Sequence, residues 1–167
     1  VDDANSDDDF DGIADQTVSV STTDDDVAGF TIAETEGSTG VDESGTTDTF
    51  TVVLNAQPDS DVVVAITSSD NGEASSNSPL TFTSSNWDTP QTVTVTGVDD
   101  FLLDGTITSD LVVAIVDASS DNNFDAVADQ TVSVSTTDDD VAGFTIAETN
   151  GSTGVDESGN TDTFTVV

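Results

Sequence analysis

Two of the three runs of three consecutive aspartates in this sequence stand between strand-like segments. The first is Asp24, Asp25 and Asp26, and the second is Asp138, Asp139 and Asp140. Each run follows a segment of alternating Val and Ser and precedes a second apolar segment, which is typical of a junction between two β-strands. Neighbouring carboxylates repel one another by about 1 kcal/mol per pair at 4 Å even in water. Ca²⁺ relieves that repulsion because it takes about six to eight oxygen ligands. The triplets therefore predict calcium-binding joints between β-domains in tandem.

A second candidate calcium loop has the spacing D-x-D-x-D-G-x-x-D, over residues 7–15. In such a loop the acids at positions 1, 3, 5 and 9 face the ion, and glycine at position 6 allows the sharp turn. The candidate ligands are Asp7, Asp9, Asp11 and Asp15. A later copy, residues 121–129, keeps an oxygen at each position but has Ala126 in place of the glycine. Its candidates are Asp121, Asp125 and Asp129, with an ordinary polar loop as the alternative.

The sequence repeats itself at an offset of 114 residues. Residues 1–53 align with 115–167 without gaps; nine of these 53 positions differ, which leaves 44 identical. A period of this length is typical of one small domain. We therefore expect the C-terminal part of one repeat in 1–26, a complete repeat in 27–140 and the N-terminal part of the next in 141–167.

The complete repeat shows strand-like alternation and no helical periodicity. The predicted strands are 30–33 (continued by a corner at 41–45), 49–54, 62–66, 80–82, 92–96, 111–116 and 130–135. Seven strands in a repeat of about 110 residues indicate an all-β fold. The prediction is a seven-stranded antiparallel Ig-like β-sandwich in tandem repeats.

Successive loops of such a sandwich lie at opposite poles, and this predicts where the acids meet. The pole at which the repeat ends receives Glu43, Asp70, Asp99, Asp100, Asp104, Asp138, Asp139 and Asp140. The opposite pole receives the loops around Gln57 and Trp87 and the loop 117–129, which should face the triplet of the preceding repeat. A merely solvated acidic surface would instead scatter its acids along outward strand positions, which are mostly Thr and Ser here. The convergence favours a cation site. By the repeat, Glu157 is the counterpart of Glu43.

These residues resemble the Calx-β family, calcium-binding β-sandwich domains of ion exchangers, integrin tails and large bacterial surface proteins. The similar segments are Val41–Gly45, Leu80–Phe82, Val98–Asp100 with Asp104 beyond it, and the closing aspartates. The resemblance implies a calcium-binding role for Glu43, Asp99, Asp100, Asp104, Asp138, Asp139 and Asp140. The family's Gly-x-Asp-Tyr segment has no match here, so Asp70 is a candidate from the pole argument alone.

The segment 86–100 is similar to tandem repeats of giant secreted bacterial adhesins. Near-identical copies, the absence of cysteine and a net charge of −35 fit that group. The resemblance implies an extracellular or cell-surface location. It favours a structural extender of an adhesin or filament used in cell adhesion, in which Ca²⁺ at the joints makes the array rigid. The expected partners are neighbouring identical repeats and, in a fibre, other copies of the chain.

Composition excludes several other functions. With 35 acidic residues and no Lys, Arg or His, the chain has nothing to neutralise a phosphate, so we expect no nucleic-acid partner and no direct membrane contact. No apolar run approaches the roughly 18 residues of a membrane span. The absence of His, Lys, Arg, Tyr and Cys removes the groups that bind or polarise a substrate, so no enzymatic activity is expected.

Two alternatives to the extender remain open at this stage. One is a carbohydrate- or surface-binding module that uses the Thr-x-Thr ladders at 47–51 or 92–96. Its weakness is that Thr is a common solvent-facing residue of strands. The other is a fibre subunit whose chains complement each other's partial sandwiches.

Overall fold

The computed structural model describes residues 2 and 4–167; Val1 and Asp3, which fall in the predicted segment 1–26, lie outside the described residues. The strands are β1 (Phe30–Glu34), β2 (Thr39–Asp42), β3 (Thr47–Leu54), β4 (Val62–Ser68), β5 (Ala74–Ser76), β6 (Leu80–Phe82), β7 (Gln91–Gly97), β8 (Ile107–Ile115), β9 (Gln130–Thr137), β10 (Ile146–Glu148) and β11 (Phe164–Val166). Within the described residues, helical structure is limited to 3-10 turns at Asp8–Phe10, Thr35–Gly37, Asp117–Ser119, Asn122–Phe124 and Thr149–Gly151. No helix in this part of the chain is long and apolar enough to cross a membrane.

Two sheets enclose a single apolar core. One sheet has the order β1-β3-β7-β5 and the other β2-β9-β8-β4-β6. Neighbouring strands are antiparallel, except that β2 runs parallel to β9. The all-β class and the Ig-like sandwich agree with the sequence prediction, whereas the purely antiparallel arrangement was wrong at this one pair.

The prediction of seven strands was also wrong, because it did not include two short strands, β2 and β5. The sequence predicts only a corner of the first strand at β2, but this strand crosses to the other sheet and pairs from Thr39↔Val134 to Asp42↔Thr137. β5 has three residues and pairs with the end of β7. Strands of three or four residues contain too little alternation to detect. Both matter for the acids, since β2 ends immediately before Glu43 and β5 begins immediately after Glu73.

Alternation along the long central strands builds the core. Inward residues of β3 and β7, such as Phe50 and Val95, and of β8 and β9, such as Leu111 and Val134, are buried. Burial stabilises each large apolar side chain by about 1.5–3 kcal/mol. Three outward residues of each of β3 and β7 are threonines, paired across the strands as Thr47↔Thr96, Thr49↔Thr94 and Thr51↔Thr92. The packed centre holds the loops of both poles in place.

The segment 141–167 repeats a local structure of the sandwich. β10 and β11 form an antiparallel pair in which Ile146 lies opposite Val166. Their counterparts 114 residues earlier, Ile32 and Val52, are paired in the same register between β1 and β3. This stretch of sequence therefore encodes the hairpin itself. Its burial depends on the other strands, since Phe164 is 54% exposed whereas its counterpart Phe50 is fully buried.

Candidate metal centre

Two glutamates are buried at the pole where the sandwich ends. Glu43 follows β2 and is 1% exposed, and Glu73 precedes β5 and is 5% exposed. In each carboxylate, Oε2 has no hydrogen-bond partner. An unpaired buried charge is costly, and the chain has no basic side chain to pair with it. These oxygens therefore require a proton or a cation.

Three aspartates complete two groups of carboxylates around Glu43. Oxygens of Glu43, Glu73 and Asp104 lie within 4.8 Å of one another. Oxygens of Glu43, Asp100 and Asp140 do the same, and Asp140 Oδ2 is also buried without a partner. Hard cations such as Ca²⁺ take this kind of all-oxygen donor set. Together with Asp138, these five residues form a cluster that we call the acidic pole: Glu43, Glu73, Asp100, Asp104, Asp138 and Asp140.

Backbone contacts hold the two glutamates in position. The Glu43 N–H donates to the Thr137 carbonyl at 3.1 Å, which extends the β2–β9 pairing by one residue. The Glu73 carbonyl accepts the Val98 N–H at 2.9 Å and the Thr136 hydroxyl at 3.4 Å. These bonds reach into both sheets, so the two carboxylates are placed by the sandwich rather than by flexible loops.

Asp138 joins the β7–β8 loop to the chain that leaves β9. Its Oδ2 accepts the Gly105 N–H at 2.8 Å and its Oδ1 accepts the Asp140 N–H at 2.7 Å. These hydrogen bonds, with that from Gly105 the strongest, lower the pKa of Asp138. An ionised Asp138 thus keeps Asp104, on the loop, beside Asp140, on the exit segment.

Three carboxylates of the acidic pole resist ionisation: Glu43, Glu73 and Asp140. Burial, reinforced by the charges of neighbouring acids, raises the pKa of Glu43 to about 7. Burial also raises the pKa values of Glu73 and Asp140, again with help from nearby carboxylates. Desolvation and like charge both favour the protonated form of an acid. Protons and cations should therefore compete for the acidic pole near neutral pH.

The structure brings the acids predicted for this pole together. Glu43, Asp100, Asp104 and Asp140 meet within the two groups. The other predicted acids lie near enough that their charges help to raise the pKa of Glu73 or of Asp140: Asp70, Asp99, Asp138 and Asp139. Sequence reasoning missed Glu73. The sequence does not predict β5, and without that strand nothing indicates that Glu73 points inward.

The candidate loop at residues 7–15 has a different local role. Asp8–Phe10 is a 3-10 turn, and Asp7 caps it by accepting the Asp9 N–H at 3.0 Å. The carboxylate groups that lie within 4.8 Å of one another in the described chain do not include Asp7, Asp9, Asp11 or Asp15, all four of which are exposed. Their role as calcium ligands therefore stays a prediction.

The later copy of that loop is closed by hydrogen bonds to Asp121. This buried carboxylate accepts backbone N–H groups from Asp59 at 2.7 Å, Ser60 at 2.9 Å and Asn123 at 2.9 Å. The three hydrogen bonds lower the pKa of Asp121, and the bond from Asn123 has the largest effect. Both oxygens are engaged, in contrast to Glu43. Asp125 and Asp129 are exposed, and the groups of three acids within 4.8 Å in the described residues do not include Asp121, so its role as a calcium ligand stays a prediction.

The first triplet lies at the opposite pole, against this loop. Asp24 and Asp26 line a pocket together with Gln57, Asp59 and Asn123, among others. The Asp26 N–H donates to Asp24 Oδ1 at 3.1 Å, as the Asp140 N–H does to Asp138 Oδ1 in the second triplet. The two triplets therefore share a local conformation. Glu157, the counterpart of Glu43, is exposed in segment 141–167.

The fold and the cluster together define an Ig-like β-sandwich with an acidic pole around two buried glutamates. No protein-family model and no curated protein matches the sequence. Solved structures with a similar fold include the apo form of the Calx CBD1 domain (TM-score 0.46, 15% identity, covering 66% of this chain and 98% of that one). They also include CBD12 from CALX1.2 (TM-score 0.45, 17% identity, 70% and 48%) and the chaperone DraB of E. coli (TM-score 0.48, 9% identity, 71% and 59%). At these identities the similarity concerns the fold alone, and the chain spans about three fifths of the length of DraB.

Proposed function

We propose that the chain is a calcium-binding structural repeat, an extender within a tandem array of β-sandwiches in an extracellular adhesin or fibre. The observation that carries the proposal is the pair Glu43 and Glu73. Each is buried with an unpartnered oxygen, in a cluster with aspartates only and in a chain without a basic side chain. A cation is the partner that this arrangement lacks.

The donor set favours Ca²⁺ over other ions. The chain has no His or Cys, so softer metals that prefer nitrogen or sulfur lack their ligands. Mg²⁺ demands near-ideal octahedral geometry and usually keeps several waters, whereas Ca²⁺ accepts many protein carboxylates in flexible geometry. The two groups share Glu43. We therefore propose two ions bridged by the Glu43 carboxylate, one towards Glu73 and Asp104 and one towards Asp100 and Asp140.

Binding at this pole would stiffen a joint between repeats. Asp140 belongs to the cluster and directly precedes Val141, with which the next copy of the repeat begins. An ion that holds Asp138 and Asp140 to the sandwich leaves only residues 141–143 free before Phe144, the counterpart of the first residue of β1. The proposed partners are thus the neighbouring repeats of the same chain. Extracellular calcium modules bind with dissociation constants of roughly 10⁻⁴–10⁻³ M, which suits a cell-surface location.

Calorimetric titration and thermal unfolding with and without calcium test the proposal. Calcium at about 100 times its Kd should stabilise the chain by about 2.7 kcal/mol per site relative to EDTA. For a domain of this size that corresponds to a rise in Tm of several degrees or more. A double variant, Glu43→Gln with Glu73→Gln, should lose most of the effect. Equal Tm values in calcium and EDTA, with no heat of binding, would contradict the proposal.

The six threonines paired between β3 and β7 keep a surface-binding module under consideration. They form a regular outward array of hydroxyl groups on one sheet. A glycan array probed with the intact chain is the direct test. Binding that is lost when Thr49 and Thr94 are both replaced by Val would support this function over the extender.

A further inference from the structure

We propose that consecutive repeats are also joined by an apolar contact, in which one loop of a repeat inserts into a pocket of the next. The loop is Phe101, Leu102 and Leu103, here called the apolar tip. The pocket lies at the opposite pole of the sandwich and is called the entry pocket. The inference rests on the tandem arrangement proposed above and identifies the surface through which neighbouring repeats meet.

The apolar tip projects from the acidic pole into solvent. Phe101, Leu102 and Leu103 are 90%, 63% and 61% exposed. They stand between Asp100 and Asp104, which both belong to the carboxylate groups around Glu43. Large apolar side chains clustered at an exposed position mark an interaction site more often than isolated ones do. The loop is also locally shaped, since the Leu102 N–H donates to Asp100 Oδ1 at 2.6 Å.

The entry pocket has a volume of about 370 Å³ and lies where the chain enters the sandwich. Its lining comes from the entering segment and from the loop 117–129, and is mostly aliphatic: Asp26, Val27, Ala28, Asn123, Ala126 and Val127. Val27 is 77% exposed, although Ala28 beside it already packs against the core. The pocket thus offers apolar surface that the repeat does not cover by itself.

Chain continuity brings the tip and the pocket to the same joint. The Gly105 N–H bonds to Asp138 and fixes the tip's loop to the exit triplet. Asp24 is the copy of Asp138 one repeat earlier and has the same local conformation, so the preceding repeat's loop should be fixed to Asp24 in the same way. Asp26 itself lines the entry pocket. Two residues span at most about 7 Å, so the loop and the pocket are neighbours.

Because consecutive repeats are joined by a short linker, a weak contact between the apolar tip and the entry pocket is enough to dock them. Two modules on a short linker meet at an effective concentration in the millimolar range, so the contact need not be strong in isolation. The joint is acidic, with Asp138 and Asp140 on the exit side and Asp59 on the entry side. An apolar contact offsets part of that repulsion without needing a basic partner.

Disulfide trapping in a chain with two complete repeats tests the proposal. Adding a second copy of residues 54–140 after Val167 completes the second repeat, because 141–167 already repeats 27–53. The chain contains no cysteine, so Leu102→Cys in the first repeat and Ala126→Cys in the second repeat form the only thiol pair. A disulfide needs Cβ atoms about 3.5–4.5 Å apart. In calcium and a mild oxidant, this pair should form an intramolecular disulfide at least about tenfold faster than a control pair with Ser133→Cys of the second repeat.

The outcomes separate this inference from the calcium function. Adding Phe101→Ser and Leu103→Ser should remove the rate advantage while calorimetry still detects calcium binding. Equal rates for test and control pairs in a protein that binds calcium would overturn the docking and leave the calcium function standing. Fast trapping in a protein that binds no calcium would support the docking and overturn the calcium function. Disulfides formed only between molecules would overturn the contact within one chain.

Discussion

Gly97 of β7 lies so close to Asp42 of β2 that a methyl group at Gly97 would stand 1.9 Å from the Asp42 carbonyl oxygen. The contact connects the two sheets immediately before their acidic loops. Asp42 precedes Glu43, and Gly97 is three residues before Asp100. The spacing of the carboxylates at the acidic pole therefore depends on a backbone approach that only glycine permits.

Gly97→Ala should destabilise the sandwich and weaken calcium binding. Relieving the overlap requires β2 and β7 to move apart, and overpacking of this kind typically costs about 1–3 kcal/mol. Urea denaturation in EDTA measures the stability and calorimetry measures the binding. Gly40→Ala is the matched control, since its nearest atom would be the Ser135 carbonyl oxygen at 3.8 Å. Equal effects of the two substitutions would show that the contact does not position the pole.

Glu43→Gln should have opposite effects in EDTA and in calcium. Without metal, the amide removes a buried charge among like charges, so the midpoint of urea unfolding should stay level or rise. With calcium, the shared ligand loses its charge, and affinity should fall by at least about tenfold. The control is Glu148→Gln, an exposed glutamate of β10. A loss of stability of similar size in both buffers would instead mark Glu43 as a purely structural residue.

Glu73→Gln should lower calcium affinity more than Asp70→Asn does. Glu73 is buried in a three-carboxylate group, whereas Asp70 is exposed and its Oδ1 accepts the Gly72 N–H at 3.0 Å. Both changes remove one charge from the same pole, so the difference isolates direct ligation from long-range attraction. Titration of the two variants side by side decides it. A larger effect for Asp70→Asn would instead favour Asp70 as a direct ligand, as the sequence predicts.

In EDTA, the stability of the chain should fall as pH rises from about 4.5 to 7. Glu43 has a pKa of about 7 in the fold against an ordinary 4.5, so the native protein holds a proton that the unfolded chain has released in this window. Stability must then decrease with increasing pH. In calcium the trend should reverse, because the ion competes with that proton. Urea midpoints across the window measure both slopes, and Glu43→Gln should flatten the slope in EDTA. A wild-type slope of the opposite sign in EDTA would contradict this account.

The sandwich was predictable because most of its long strands alternate cleanly. Phe50 and Val52 point inward while Thr49 and Thr51 point outward, and that pattern fixes both the strand and its face. The gathering of acids at one pole followed from the order of loops. Glu73 could not be found, since β5 has only three residues and its place is set by pairing with β7.

Asp121 shows a second limit of reasoning from sequence. Its position in an acid-rich string indicated a calcium ligand, but its oxygens are bound by N–H groups of Asp59 and Ser60, about sixty residues away along the chain. Spacing within a loop cannot reveal partners that the fold brings in from elsewhere. Asp121 binds backbone N–H groups with both oxygens at one pole, whereas Asp140 leaves Oδ2 without a partner at the other.

That difference gives each repeat two unlike ends. At the Asp121 end, neutral backbone N–H groups bind the carboxylate, so chelators should leave this end folded. At the other end, Glu43, Glu73 and Asp140 each leave one buried oxygen without a partner, so that end should loosen first. Removal of the ion would then open a repeat from one side only, and amide hydrogen exchange should show a gradient along the long axis of the sandwich. In a tandem array, every joint between repeats would then become flexible while each sandwich kept its fold.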